Sequence, residues 1–199
     1  MVYSNFTLRE VKRQFKLQER REVLFPGVVP VLPGAWLLET LELTHDSALI
    51  SEKERSEMLV VPVLIELRRL TKQAIALYSG AFLDVDTSLG LNGECDFILT
   101  RGAQNYTLDT PIFCVVEAKK NDVEGAFGQC VAQLIGARLY NEQDGKPTPE
   151  LYGCVTTGLE WKFLHLAGST IQIDLDFYFI NKLPQLLGAL TVIAQKPAP

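Results

Sequence analysis

The chain has little from which to build a zinc site. Its 199 residues include four cysteines and two histidines, and no two cysteines stand at Cys-x-x-Cys spacing. His45 and His165 are isolated, with no Cys or His at metal-ligand distance in sequence. Cys95, Cys114, Cys130 and Cys154 each sit in an apolar stretch, as reduced core thiols do. Long apolar runs are missing as well. The longest, Met58 to Ile65, is too short to cross a bilayer and contains Pro62. The first residues lack the basic, apolar and small-residue order of a secretory signal, so the expectation is a cytoplasmic protein with no membrane partner. Positive charge is scarce too. The net charge is −5, whereas duplex binding rests on basic side chains that neutralise phosphates. Tight, non-specific DNA binding by a monomer is therefore disfavoured, although a local basic patch beside a metal site is not.

What is present describes a folded domain. Hydrophobic residues make up 47% and charged residues 22%, and the length suits one globular unit. Residues 1–50 differ in character from the rest. Leu8, Val11, Phe15 and Leu17, interleaved with Arg9, Lys12, Arg13 and Lys16, predict a short amphipathic helix. Phe25 to Gly34 then breaks regular structure with three prolines and two glycines, and Trp36 to Leu43 reads as a brief strand or helical turn. The expectation is an N-terminal helical extension packed on a core of residues 51–199.

Within that core, Ser51-Glu-Lys-Glu offers a helix start with acids in its first turn. The helix is expected to run to Arg69 or beyond, bent or divided at Pro62. Strands are predicted at Ile75–Tyr78, Cys95–Thr100 and Pro111–Ala118, the last nearly continuous in apolar residues and so central in a sheet. A helix over about Val123–Tyr140 buries Val123, Phe127, Cys130, Val131, Leu134 and Ile135. Strands at Leu151–Thr156, Trp161–Leu166 and Ile171–Phe179 precede a last helix over Leu183–Ile193, whose apolar residues are expected in the core. The fold class is α/β (α+β), with a mixed central sheet flanked by helices.

Glu-x-Lys occurs three times, at Glu10–Lys12, Glu117–Lys119 and Glu160–Lys162. The first falls in a charged helix and the third in a hairpin strand, and both read as solvated faces. Only the second ends a strongly apolar strand, Ile112-Phe-Cys-Val-Val. Residues i and i+2 of a strand share a face, so Glu117 and Lys119 point together. Charges at that rim need partners. If the preceding strand returns antiparallel, Asp96 supplies one. Two carboxylates, a lysine and open water positions suit Mg²⁺ or Mn²⁺, which take hard oxygen ligands. The structural alternative for the trio is a salt-bridge cluster. Asp84 and Asp86, followed by turn residues, read as loop caps.

Gly93-Glu-Cys-Asp96-Phe-Ile-Leu, Phe113-Cys-Val-Val-Glu117-Ala-Lys119-Lys and Gly128-Gln129-Cys-Val-Ala-Gln133 together resemble the PD-(D/E)XK nuclease superfamily, the restriction-endonuclease-like fold. The resemblance covers about two thirds of the chain, from Ser51 to roughly Phe179. It implies a core of helix, mostly antiparallel strands, helix and further strand, and a metal-dependent nuclease or phosphodiesterase acting on DNA ahead of RNA. Asp96 and Glu117 match its metal-binding acids and Lys119 its motif lysine. The Ala118 carbonyl would be a further metal ligand. Cys95 stands where the name-giving proline often does. Members often add a glutamate from the first helix, for which Glu57 and Glu66 compete. Their nine-residue spacing puts them on opposite helix sides, and Val60, Val61 and Leu64 favour Glu57. Gln129 resembles a helix glutamine near the metal waters or DNA backbone, with the solvated side of the helix as its other reading. The resemblance also allows a homodimer, since cutting two strands calls for two sites. The competing class is a non-catalytic binding or structural protein on the same fold. A basic groove around Lys119, Lys120, Arg101 and Arg138 would favour the nuclease, and a neutral or acidic mouth the alternative.

Overall fold

A computed structural model describes residues 2–196. Its elements are α1 (Leu8–Gln14), β1 (Gln18–Glu22), α2 (Ala35–Leu43), α3 (Glu52–Arg55), α4 (Val61–Leu70), β2 (Ile75–Phe82), β3 (Glu94–Arg101), β4 (Ile112–Ala118), α5 (Phe127–Gln143), β5 (Glu150–Thr156), β6 (Glu160–Ala167), β7 (Thr170–Asp174), β8 (Tyr178–Phe179) and α6 (Leu183–Gln195). The strands form one mixed sheet in the order β1-β7-β6-β5-β4-β3-β2, with β8 beside β6. β2, β3 and β4 make an antiparallel meander. α5 then carries the chain over, so that β5 joins β4 in parallel. No described helix is long and apolar enough to cross a membrane.

Helices cover both faces. On one, α5 and α1 close over Ile98, Val115, Val155, Leu164 and Ile171. On the other, α2, α4 and α6 close over Phe97, Val116, Cys154 and Phe163. All seven residues of β4 are buried, as its apolar run predicts. Leu186, Leu187, Ala189, Leu190 and Ile193 of α6 lie in this second core, and all four cysteines are buried free thiols.

The first fifty residues depart from a simple helical extension. Gln18–Glu22 is a strand, paired in parallel with β7 at the sheet edge, and Tyr3, Phe6, Val11 and Leu17 belong to the α5-side core. α5 is consequently covered on two sides, and a Cβ at its Gly128 would collide with the backbone of Phe6, Thr7 and Leu8. Trp36–Leu43 is helical and lies in α2. The segment expected as one strand over Ile171–Phe179 is divided into β7 and β8 by Leu175–Phe177. Pro62 divides the first core helix through a π turn, Ser56–Val60, in which Val61 N–H bonds to Ser56 O. Proline lacks the N–H for an i→i−4 bond and its ring crowds that carbonyl, and the wider turn relieves both.

Candidate functional site

β3 and β4 run antiparallel with Phe97 opposite Val116. One residue further, Asp96 at the start of β3 comes across from Glu117 at the end of β4. The Asp96 carboxylate crosses the gap, its Oδ2 accepting from Ala118 N–H at 2.7 Å. Lys119 Nζ donates to Glu117 Oε1 at 2.6 Å. From α5, Gln129 Nε2 donates to the same oxygen at 2.5 Å and Gln133 Nε2 to Oε2 at 2.7 Å. Sequence-predicted Asp96, Glu117, Ala118, Lys119 and Gln129 therefore meet in one place, with Gln129 on the carboxylate and not on a solvated face.

Glu117 is only 2% exposed and Lys119 25%. Burial, followed by the charge on Asp96, pushes the Glu117 carboxyl up to about 7, against the pull of Lys119 and Gln133. Asp96 is raised too, first by burial, with Ala118 N–H and Lys119 opposing and Glu52 adding to the rise. Burial pulls Lys119 down, but Glu117, Glu52 and Asp96 together outweigh it and hold the ammonium above its ordinary value.

Beside Asp96 opens a cavity of about 370 Å³, floored by Ser79 and Gly80 and edged by Glu52, Glu57, Glu94 and Lys53. Glu57 thus shares a cavity with Asp96, where its side chain is 57% exposed and lies 3.9 Å from Lys53. Glu66 does not approach the site. It is fully buried, paired with Arg69 at 2.6 Å and accepting Gly34 N–H at 2.6 Å. Two contributors, Glu52 and the motif's second glutamine, Gln133, were given no site role from the sequence. Glu52 reads in sequence as a helix-dipole acid, yet its Oε2 also accepts from Lys120 N–H at 3.1 Å beside the cavity. Gln133 lies in the apolar pattern of α5, and its spacing from Gln129, one helical turn, is the signal that pairs them.

The basic groove that would favour a nuclease is not assembled. Arg101 ends β3 while Asp96 lies near its start, roughly 16 Å away at ~3.3 Å per residue. Its guanidinium stacks on Phe113 at 3.9 Å and donates to Ile193 O, Ala194 O and Lys196 O at the end of α6. Arg138 donates to Gly168 O at 2.6 Å. The cavity edge is acidic instead. Of the other Glu-x-Lys pairs, Glu10 closes a capping box with Thr7. Lys162 is not solvated: it is 5% exposed, donates to Leu175 O at 3.2 Å and lies 3.9 Å over Phe177. Asp86 and Asp84 cap the β2–β3 loop, accepting from Ser88, Leu89 and Gly93.

Among the described residues, no group of three or more His, Cys, Asp and Glu side chains is arranged to hold a metal ion. A cation here would rest on two carboxylates, backbone oxygen and water. That donor set is all hard oxygen and fits Mg²⁺, which keeps several waters and takes one or two protein carboxylates. No family model matches the chain, and no curated protein or solved structure matches it.

Proposed function

We propose that the chain is a divalent-metal-dependent phosphodiesterase that hydrolyses nucleic acid, DNA ahead of RNA, at Asp96, Glu117 and Lys119. The observation that carries the reading is a buried Glu117 and a half-buried Asp96, both raised chiefly by burial, beside an open cavity that Asp96 lines, with a lysine on one Glu117 oxygen. Perturbed carboxylates at a cleft are costly to a fold and are characteristic of working sites. The order α4, β2-β3-β4, α5, β5 is also the order that the PD-(D/E)XK resemblance implies.

Asp96 and Glu117 would hold Mg²⁺ or Mn²⁺, with the Ala118 carbonyl as a further ligand and Glu57 or Glu52 approaching from the first helix. When bound, such an ion acidifies a water and neutralises charge on the phosphate. Lys119 supplies a cation that orients the attacking water or meets the charge growing on phosphorus. Gln129, partly exposed and bonded to Glu117, stands at the border between the carboxylate and any substrate.

The acidic cavity edge favours a second reading, a metal-holding binding protein without nuclease activity. Cleavage separates the two. Plasmid and oligonucleotide substrates with Mg²⁺ or Mn²⁺ are expected to be cut by the wild type. Asp96→Ala and Lys119→Ala should each lower the rate by 100-fold or more. Activity untouched by both substitutions overturns the site, and Mn²⁺ uptake without cleavage of any nucleic acid supports the second reading.

A further inference from the structure

α5 is buried along most of its length, and most of its buried residues are apolar. Two of its amides nevertheless turn to one carboxylate, Gln129 on Glu117 Oε1 and Gln133 on Oε2. They differ in access. Gln129 is partly exposed, whereas Gln133 is 0% exposed and cannot touch a substrate. The orientation of the Gln133 amide follows from its partner, because turning it over would set oxygen against carboxylate oxygen. That leaves Gln133 Oε1 buried without a hydrogen-bond partner. An apolar side chain of similar size would avoid this cost, so the amide needs a reason to be there.

We infer that Gln133 is a positioning residue, which fixes Glu117 as a metal ligand from the buried side. The inference rests on the proposal that Asp96 and Glu117 hold a divalent ion. Glu117 Oε1 already accepts from both Lys119 and Gln129, so the carboxylate's open acceptor capacity is on Oε2. Gln133 takes one direction at that oxygen and restrains rotation of the carboxylate plane. Hydrogen-bonded outer partners of this kind orient metal ligands, and their loss weakens metal affinity about 10- to 100-fold.

The test is calorimetric titration of the full chain with Mn²⁺, comparing wild type, Gln133→Met and Gln133→Asn. Met removes the donor at nearly constant volume, and Asn keeps the amide but draws it back by one methylene. Both folded variants are expected to bind Mn²⁺ about tenfold or more weakly, with unchanged circular dichroism. Wild-type affinity in both would overturn the positioning role. No uptake by the wild type would instead overturn the metal site itself, and this inference with it. A measurement without substitution runs in parallel. The Gln133 side-chain amide signals of the ¹⁵N-labelled wild type should shift when Mg²⁺ is added, and signals that stay fixed at saturating Mg²⁺ contradict the role.

Discussion

Asp96, Glu117 and Lys119 were legible in the sequence because charge emerges abruptly from an apolar strand, and a period of two puts Glu117 and Lys119 on one side. Glu52 was not, since an acid in a first helical turn has a sufficient local explanation in the helix dipole. Lys162 misled for the opposite reason. Alternation along β6 marks a wet face only if nothing folds over it, and Leu175–Phe177 does so from outside the strand. A separate residue carries a pH dependence. His165 is stacked on Tyr152 at 4.4 Å, with Nδ1 on Gln172 and with Glu150 and Lys196 as its charged neighbours. Burial holds its pKa below the ordinary value, against Gln172 and Glu150. Below about pH 6.5 the unfolded chain takes up a proton that the folded chain resists. This contribution is therefore intact above pH 6.5 and is lost as pH falls toward the lowered folded value. Chemical denaturation across pH 5 to 8 should show wild type losing stability relative to His165→Gln on the acid side. A constant difference across that range would contradict it.

At the scale of elements, β4 and α5 announce themselves and β1 does not. Gln-Glu-Arg-Arg-Glu has no apolar alternation, because an edge strand in parallel with β7 is wet over much of its surface. Only pairing makes it a strand, and pairing is not a local property. The π turn was half legible, since Pro62 requires a break but does not say of which kind. The covering of α5 by the N-terminal segment was hidden as well, and it reverses a familiar rule. Glycine to alanine inside a helix ordinarily stabilises by about 1 kcal/mol. At Gly128 the added methyl overlaps the backbone of Phe6 to Leu8. Gly128→Ala is expected to destabilise by roughly 2–3 kcal/mol. In thermal unfolding that corresponds to a drop of about 4–12 °C in Tm. An unchanged or higher Tm would mean that the N-terminal segment does not press on α5 as described.

Over the whole molecule, one sheet with both faces buried carries a charged site at the point where β3 begins, β4 ends and α5 starts. The surrounding helices supply its second layer, with Gln129 and Gln133 on one side and Glu52 and Glu57 on the other. The net charge of −5 and the acidic cavity edge belong to the same picture. Such a surface attracts small cations and repels polyanions. The claim beneath every other is thus the ion itself. Crystals of the protein equilibrated with Mn²⁺ and measured at a wavelength with strong manganese anomalous signal test it directly. The expected result is an anomalous peak bonded to Asp96 and Glu117 at about 2.0–2.2 Å, near Mg²⁺ geometry. At saturating Mn²⁺, no peak at these carboxylates and Lys119 still paired with Glu117 would contradict the account.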